Sequence, residues 1–305
     1  MVAELLDGKR VAAEILEGLR RRIACLPHPP CIAFLRIGEN AASRFYVGRK
    51  VAVAKDLGIR SIVEVFPEQV AEKTILEQLS RWNSDGEIDG ILVQAPLPSR
   101  EFQRSAFAAV DPAKDVDGFH PYNFGLLAQE RPGGFIPCTP KGILRLLEAY
   151  AIPTDGRHAV IVGRSLIVGR PLSLLLQSHG ANATVTVCHS RSQQLRSIVR
   201  SADILISAAG QPNLILEDMV AEGTTVVDVG QNSVPDETFP GGHRLCGDVD
   251  FPALRHRCSH LTPVPGGVGP MTVAMLMENA VEAVERKFPG NRRNDPPIEQ
   301  KCFPS

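Results

Sequence analysis

Ser43, Tyr46 and Lys50 are spaced three and four apart in NAASRFYVGRK, so a helix through this segment puts all three on one face. A tyrosine beside a lysine makes a proton-handling pair, because a partly desolvated ammonium holds its proton less tightly and becomes a usable acid or base. The commoner fate of such a pair is structural, with the lysine stem lying along the surface beside a half-buried ring. Spacing alone does not decide between the two. Gln94 ends the apolar run ILVQ just before Ala95 and Pro96, and strand carboxyl ends are where open α/β sheets place ligands. Its amide can donate and accept, and can orient Lys50 if the two meet; otherwise it ties down the proline loop.

KDVDGF offers Asp115 and Asp117, which point to opposite sides if the segment is extended. One of them suits a ligand with adjacent N–H donors. The DxDG pattern is part of a calcium loop, but the remaining ligand positions are missing and no metal is expected. After the strand HAVIV comes GRSLIVGRP, a glycine-bearing turn into a helix. Such turns bring backbone N–H groups and a helix N-terminus to phosphate, although the spacing is not GxGxxG and an ordinary tight turn reads the same way. The next strand ends CHSRS, with no carboxylate for a ribose hydroxyl. Ser190 with Arg191, and Arg164 from the first loop, suit a 2′-phosphate, which favours NADP over NAD. Arg191 in open solvent, or Ser190 or Ser192 as a helix cap, is the plainer alternative. PVPGGVGPMT, before the last helix, is a side-chain-poor loop fit to lie against a planar ligand, or a plain linker.

The elements that must hold these residues alternate as in an α/β protein. CIAFLRI, SIVEVF and ILVQ read as strands, with helices from Asn40 as N-cap to Gly58 and over 72–82. Regularity fades over 108–139, a length that is usually functional when it lacks structure. Thr139-Pro140 then reads as N-cap and first helical residue of a helix to Tyr150. HAVIV, TVTVC, DILIS and TTVVD predict a doubly wound parallel sheet, with helices opening near Pro171, Ser192 and Asp218. A final helix spans 271–288, and the polar, proline-rich tail 289–305 is expected to be disordered.

The 305 residues suffice for two domains. Thirty-three Lys and Arg against 34 Asp and Glu leave no basic field for nucleic acid or an anionic membrane. The N-terminus lacks the apolar core of a secretory signal, and no run approaches a membrane span of about 20 residues. Seven scattered cysteines without a CxxC pair read as reduced thiols of a cytoplasmic protein.

Together NAASRFYVGRK, DGILVQAPLP, KDVDGFHPYN, PCTPKG, VGRSLIVGRP, VCHSRS, VVDVG and TPVPGGVGPMTVAML resemble the bifunctional methylenetetrahydrofolate dehydrogenase/cyclohydrolase family, in the family's order. The resemblance implies two α/β domains with a cleft between them, the second a Rossmann-like doubly wound parallel sheet. Residues 1–138 with 271–288 would form the catalytic, folate-binding domain, and 139–270 the NADP domain. It implies oxidation of 5,10-methylenetetrahydrofolate with NADP and hydrolysis of the methenyl product to 10-formyltetrahydrofolate, in a cytoplasmic homodimer. Lys50 is then the proton-transfer residue, positioned by Tyr46 and Gln94. Asp117 would hold the pterin N–H groups, leaving Asp115 structural. Ser43, Val93, Pro265, Gly266, Gly267, Val268, Gly269, Pro270, Met271 and Thr272 would contact folate. Thr139, Gly163, Arg164, Ser165, Ile167, Ser190 and Gln231 would contact NADP.

Two residues depart from the pattern: Ala95 stands where the family has Leu, and Gln231 where it has Ile. The first removes apolar contact worth about 1–3 kcal/mol if nothing refills the space; the second puts an amide on the nucleotide side. A relative with one activity lapsed, or a folate-binding protein without turnover, would not need the full set Tyr46, Lys50, Gln94 and Asp117.

Overall fold

The computed structural model describes residues 2–239 and 242–289. In chain order the elements are β1 (Glu4–Leu5), α1 (Gly8–Ala24), β2 (Cys31–Ile37), α2 (Ala41–Asp56), β3 (Arg60–Phe66), α3 (Glu72–Ser84), β4 (Gly90–Val93) and α4 (Arg100–Ala109). Next come α5 (Pro121–Ala128), α6 (Cys138–Ala149), β5 (His158–Val162), α7 (Gly169–Gln177), β6 (Thr184–Cys188), α8 (Leu195–Arg200) and β7 (Ile204–Ser207). The last are a 3-10 turn (Glu217–Met219), β8 (Thr225–Asp228), β9 (Asn232–Pro235), β10 (His243–Cys246), α9 (Phe251–Leu254), β11 (His260–Leu261) and α10 (Val268–Lys287). The tail expected to be disordered lies outside the described residues, apart from Pro289.

The chain divides into two compact units, which among the described residues are 13–138 with 273–289, and 2–12 with 139–272. The first has a three-stranded parallel sheet in the order β3-β2-β4. Every residue of β2 is buried, as a central strand covered on both faces demands. Leu35, Ile75, Leu79, Trp82, Ile91, Phe102 and Phe107 belong to one apolar cluster beneath α3 and α4. Asn40 caps α2 as its sequence predicts, its side chain accepting from the Ser43 N–H at 3.0 Å.

The second unit holds a six-stranded parallel sheet, β1-β11-β8-β7-β5-β6, and the antiparallel hairpin β9-β10. The first residues join this unit because β1 pairs with β11. From β5 the chain moves outward to β6 and then returns to the other side as β7. Strand order therefore reverses between β5 and β7, the switch point where such sheets bind ligands beyond their carboxyl ends.

Several boundaries differ from expectation. The irregular stretch 108–139 contains α5, where Pro121 opens the helix and the His120 ring accepts from the Tyr122 N–H at 3.0 Å. Its eight residues, with Gly125 inside, are too few for helical periodicity to register. Helix α6 begins at Cys138, so Thr139 is inside it rather than its cap, and the Thr139 hydroxyl instead meets that of Thr272 at 2.9 Å. The last helix opens at Val268, ahead of Met271, because proline is tolerated in a first turn where its missing N–H costs nothing. Half of PVPGGVGPMT is therefore helical. The helix expected near Asp218 is a single 3-10 turn, and α8 begins at Leu195 rather than Ser192.

Candidate active site

In the first unit α2 and the end of β4 bring Lys50 and Gln94 together, with Asp117 near enough to feel the Lys50 charge. The Lys50 ammonium donates to the Gln94 side-chain oxygen at 3.0 Å. The Gln94 amide nitrogen donates to the Ala95 carbonyl at 2.7 Å, which fixes which end of the amide faces the lysine. Gln94 is itself anchored by its backbone N–H on Leu35 at 2.8 Å. Gln94 therefore meets both Lys50 and the residue that opens the proline loop. Tyr46 lies one turn before Lys50 with its ring edge-on to Phe45, and burial pushes its hydroxyl pKa up. Among the described residues the Lys50 hydrogen bond goes to Gln94, not to Tyr46. Ser43 and Val93 are buried beside these elements, on α2 and β4.

The two carboxylates of KDVDGF take different environments. Asp115 accepts from the Phe119 N–H at 3.2 Å, the His120 N–H at 2.7 Å and the Asn123 amide at 2.8 Å, so it organises the loop into α5. Burial outweighs those donors and raises its pKa to about 7. Burial also raises Asp117, and the Lys50 charge and the Cys138 thiol work against the rise. Asp117 is therefore within electrostatic reach of Lys50, as a site that handles both charge and protons requires. Behind it, the buried Asn279 amide of α10 donates to the carbonyls of Val116 at 2.9 Å and Ile136 at 3.1 Å. Asn279 and Asn123 gave no sequence signal, since a lone asparagine in an apolar helix is uninformative.

In the second unit Gly163 ends β5 at the switch point with φ of 133°, open in practice only to glycine. A side chain there would strike the Ala208 carbonyl after β7. Backbone therefore crosses backbone closely, leaving the cradle that a pyrophosphate needs. Ser165 closes the turn, its hydroxyl accepting from the Val168 N–H at 3.0 Å, and Ile167 is half-buried in it. At the end of β6, Ser192 accepts from the His189 N–H at 3.0 Å and the His189 ring from the Arg191 N–H at 3.1 Å. Neither Ser190 nor Ser192 caps α8, whose cap position is Gln194. The side chains of Ser190, Arg191 and Arg164 are exposed and make no hydrogen bond to protein among the described residues. The cradle and the carboxylate-free, guanidinium-bearing strand end fit a dinucleotide with a 2′-phosphate.

The loop 263–267 turns on the Gly267 N–H to Pro263 carbonyl bond of 2.8 Å, and Gly266 has φ of 120°. Pro265 is exposed, Gly266 and Gly267 are buried, and Val268 to Thr272 form the first turns of α10. Gln231, after β8, reaches this segment: a Cβ on Gly269 would lie 3.2 Å from its amide nitrogen.

Family comparisons agree with this geometry. Residues 6–117 match the tetrahydrofolate dehydrogenase/cyclohydrolase catalytic domain, and residues 137–288 its NAD(P)-binding domain. The bifunctional protein FolD of Protochlamydia amoebophila is 47% identical over 280 residues, 91% of this chain and 96% of that one. The FolD of Halothermothrix orenii is 47% identical over 294 residues, 95% of this chain and all of that one. Among solved structures, the bifunctional FolD of Campylobacter jejuni has a TM-score of 0.86 at 42% identity, covering 93% of this chain and 99% of that one. The Trypanosoma brucei dehydrogenase-cyclohydrolase, complexed with NADP and an inhibitor, has a TM-score of 0.89 at 34% identity, covering 94% and 99%. This chain belongs to the tetrahydrofolate dehydrogenase/cyclohydrolase family, with both its catalytic and its NAD(P)-binding domains.

Proposed function

We propose that the chain oxidises 5,10-methylenetetrahydrofolate to the methenyl cation with NADP and hydrolyses that cation to 10-formyltetrahydrofolate. The observation that carries the reading is the Lys50–Gln94 hydrogen bond of 3.0 Å with Asp117 in electrostatic range. NADP, when bound, takes up the hydride that leaves the methylene carbon. For that step the protein's task is orientation, since the ring nitrogen's lone pair drives hydride departure. In the second step water adds to the methenyl carbon and releases one proton; as the carbon–N5 bond breaks, the remaining hydroxyl proton leaves to give the formyl group on N10, and N5 gains a proton. Lys50 moves these protons, its nitrogen aimed by Gln94, with Tyr46 one turn away on the same helix.

Asp117 holds the pterin N–H groups, a carboxylate's natural complement. Ser43, Val93 and residues 265–272 supply the rest of the folate contact. Gly163, Arg164, Ser165, Ile167, Ser190, Thr139 and Gln231 hold NADP. The unit of residues 13–138 with 273–289 serves as the catalytic domain and that of 2–12 with 139–272 as the nucleotide domain. The protein works in the cytoplasm as a homodimer. In support of the dimer, β3 is an unpaired sheet edge that leaves Ile62, Val63 and Val65 exposed, apolar surface that a lone chain would leave in water. No helix among the described residues is long and apolar enough to cross a membrane.

Absorbance of purified protein with 5,10-methylenetetrahydrofolate and NADP, following NADPH and the methenyl cation separately, tests the reading. NADPH without methenyl accumulation is expected. Accumulating methenyl would contradict the second activity, and no NADPH from folded protein would contradict the first.

A further inference from the structure

Asp248 is fully buried, and five donors converge on its carboxylate. They are the Ala209 N–H at 2.7 Å, the Gly210 N–H at 3.1 Å, the Gln211 N–H at 3.0 Å, the Asn232 amide at 2.9 Å and the Ser207 hydroxyl at 3.3 Å. A second buried carboxylate, Asp228, accepts the Asp248 N–H at 2.9 Å, with the N–H groups of Gly230 at 2.9 Å and Val249 at 3.1 Å. Every one of the Asp248 donors lies at or beyond the carboxyl end of β7 or β8, the ligand side of the sheet. The loop it gathers, 208–211, is the one whose Ala208 carbonyl packs against Gly163. Asn232, its side-chain donor, directly follows Gln231. Stability alone does not call for this arrangement, since an apolar side chain of similar size would avoid burying a charge. What a carboxylate adds is fixed geometry, because three consecutive backbone N–H groups must all turn toward it.

We propose that Asp248 is a positioning residue for the dinucleotide. Its carboxylate locks the loop after β7 against Gly163 and holds Asn232, and with it the backbone of Gln231, at the end of β8. The loop end of the switch point is thereby preformed rather than ordered on binding, which lowers the cost of holding the cofactor. This rests on the reading that NADP occupies the switch point.

The test is Asp248→Asn, which keeps the volume but turns an N–H group toward other N–H donors. Three quantities are measured: the NADPH dissociation constant by fluorescence, the KM for NADP, and hydrolysis of supplied methenyltetrahydrofolate in the absence of NADP. The expected result is NADPH affinity and NADP KM both worsened by about tenfold or more, as a misplacement of about 1 Å does, with ring opening unchanged. Unchanged NADPH affinity overturns the proposal, and so does an equal loss of both activities in folded protein, which marks a general structural role. If the variant does not fold, Asn232→Ala, which removes one donor of the five, is expected to raise the NADP KM and spare ring opening; no rise overturns the proposal. Wild-type protein that fails to bind NADPH would overturn the dinucleotide reading itself, an outcome separate from a variant that binds as well as wild type.

Discussion

Lys50 and Gln94, 44 residues apart in sequence, meet at 3.0 Å through a hydrogen bond in which the lysine donates. The acceptor sits at the end of a buried strand whose neighbours fix it, so the flexible partner is held by the rigid one. Gln94→Leu keeps the size of the residue and removes the acceptor. Ring opening should fall by roughly 10–100-fold, as it does when a reacting group loses its alignment, while NADPH binding stays as in wild type. Steady-state hydrolysis of methenyltetrahydrofolate beside an NADPH titration checks this; unchanged hydrolysis would show that Lys50 needs no such partner.

Gln231 places an amide against Gly269, where the resemblance to the family implies an isoleucine. Gln231→Ile should supply an apolar contact there and lower the KM for NADP about fourfold, the equivalent of burying about one methylene group. A higher KM would show instead that the amide itself contacts the cofactor.

Asp115 carries a pH dependence of known sign. Burial raises its carboxyl to about 7 from an ordinary value of 3.8, so the folded state binds the proton more tightly than the unfolded chain. The contribution to stability is complete below the unfolded value and is lost as pH rises toward the folded one. Between about pH 4 and 7 it should cost up to about 1.4 kcal/mol per pH unit. Asp115→Asn removes the titration and gives up one acceptor for the loop 119–123. The denaturant midpoint should be lower for the variant at pH 4, and from pH 4 to 7 it should fall less steeply than in wild type, so that the two curves converge. Parallel curves would contradict the assignment.

Much of this was legible in the sequence because the signals are local. Asn40 caps α2 by its own side chain, the apolar runs of the parallel strands register at any boundary, and the Ser43, Tyr46 and Lys50 spacing needs only a helix. Gln94 was legible as a strand end, although its bond to Lys50 depends on how β2 pairs with β4. Short elements escaped, since α5 has too few turns for periodicity and Thr139 mimics a cap that the fold uses for Thr272. Asp228 and Asp248 escaped for a different reason. Asp228 ends an apolar strand and Asp248 follows the hairpin strand β10, positions that read as surface, and only the assembled fold shows backbone N–H groups converging on each.

The most direct test of the account is Lys50→Met, assayed for hydrolysis of methenyltetrahydrofolate by loss of the methenyl absorbance, with folding checked by circular dichroism. The expected result is a folded protein whose ring opening falls by a factor on the order of 10²–10⁴, the usual contribution of a proton-transfer residue. A folded Lys50→Met protein that opens the ring as fast as wild type would contradict it.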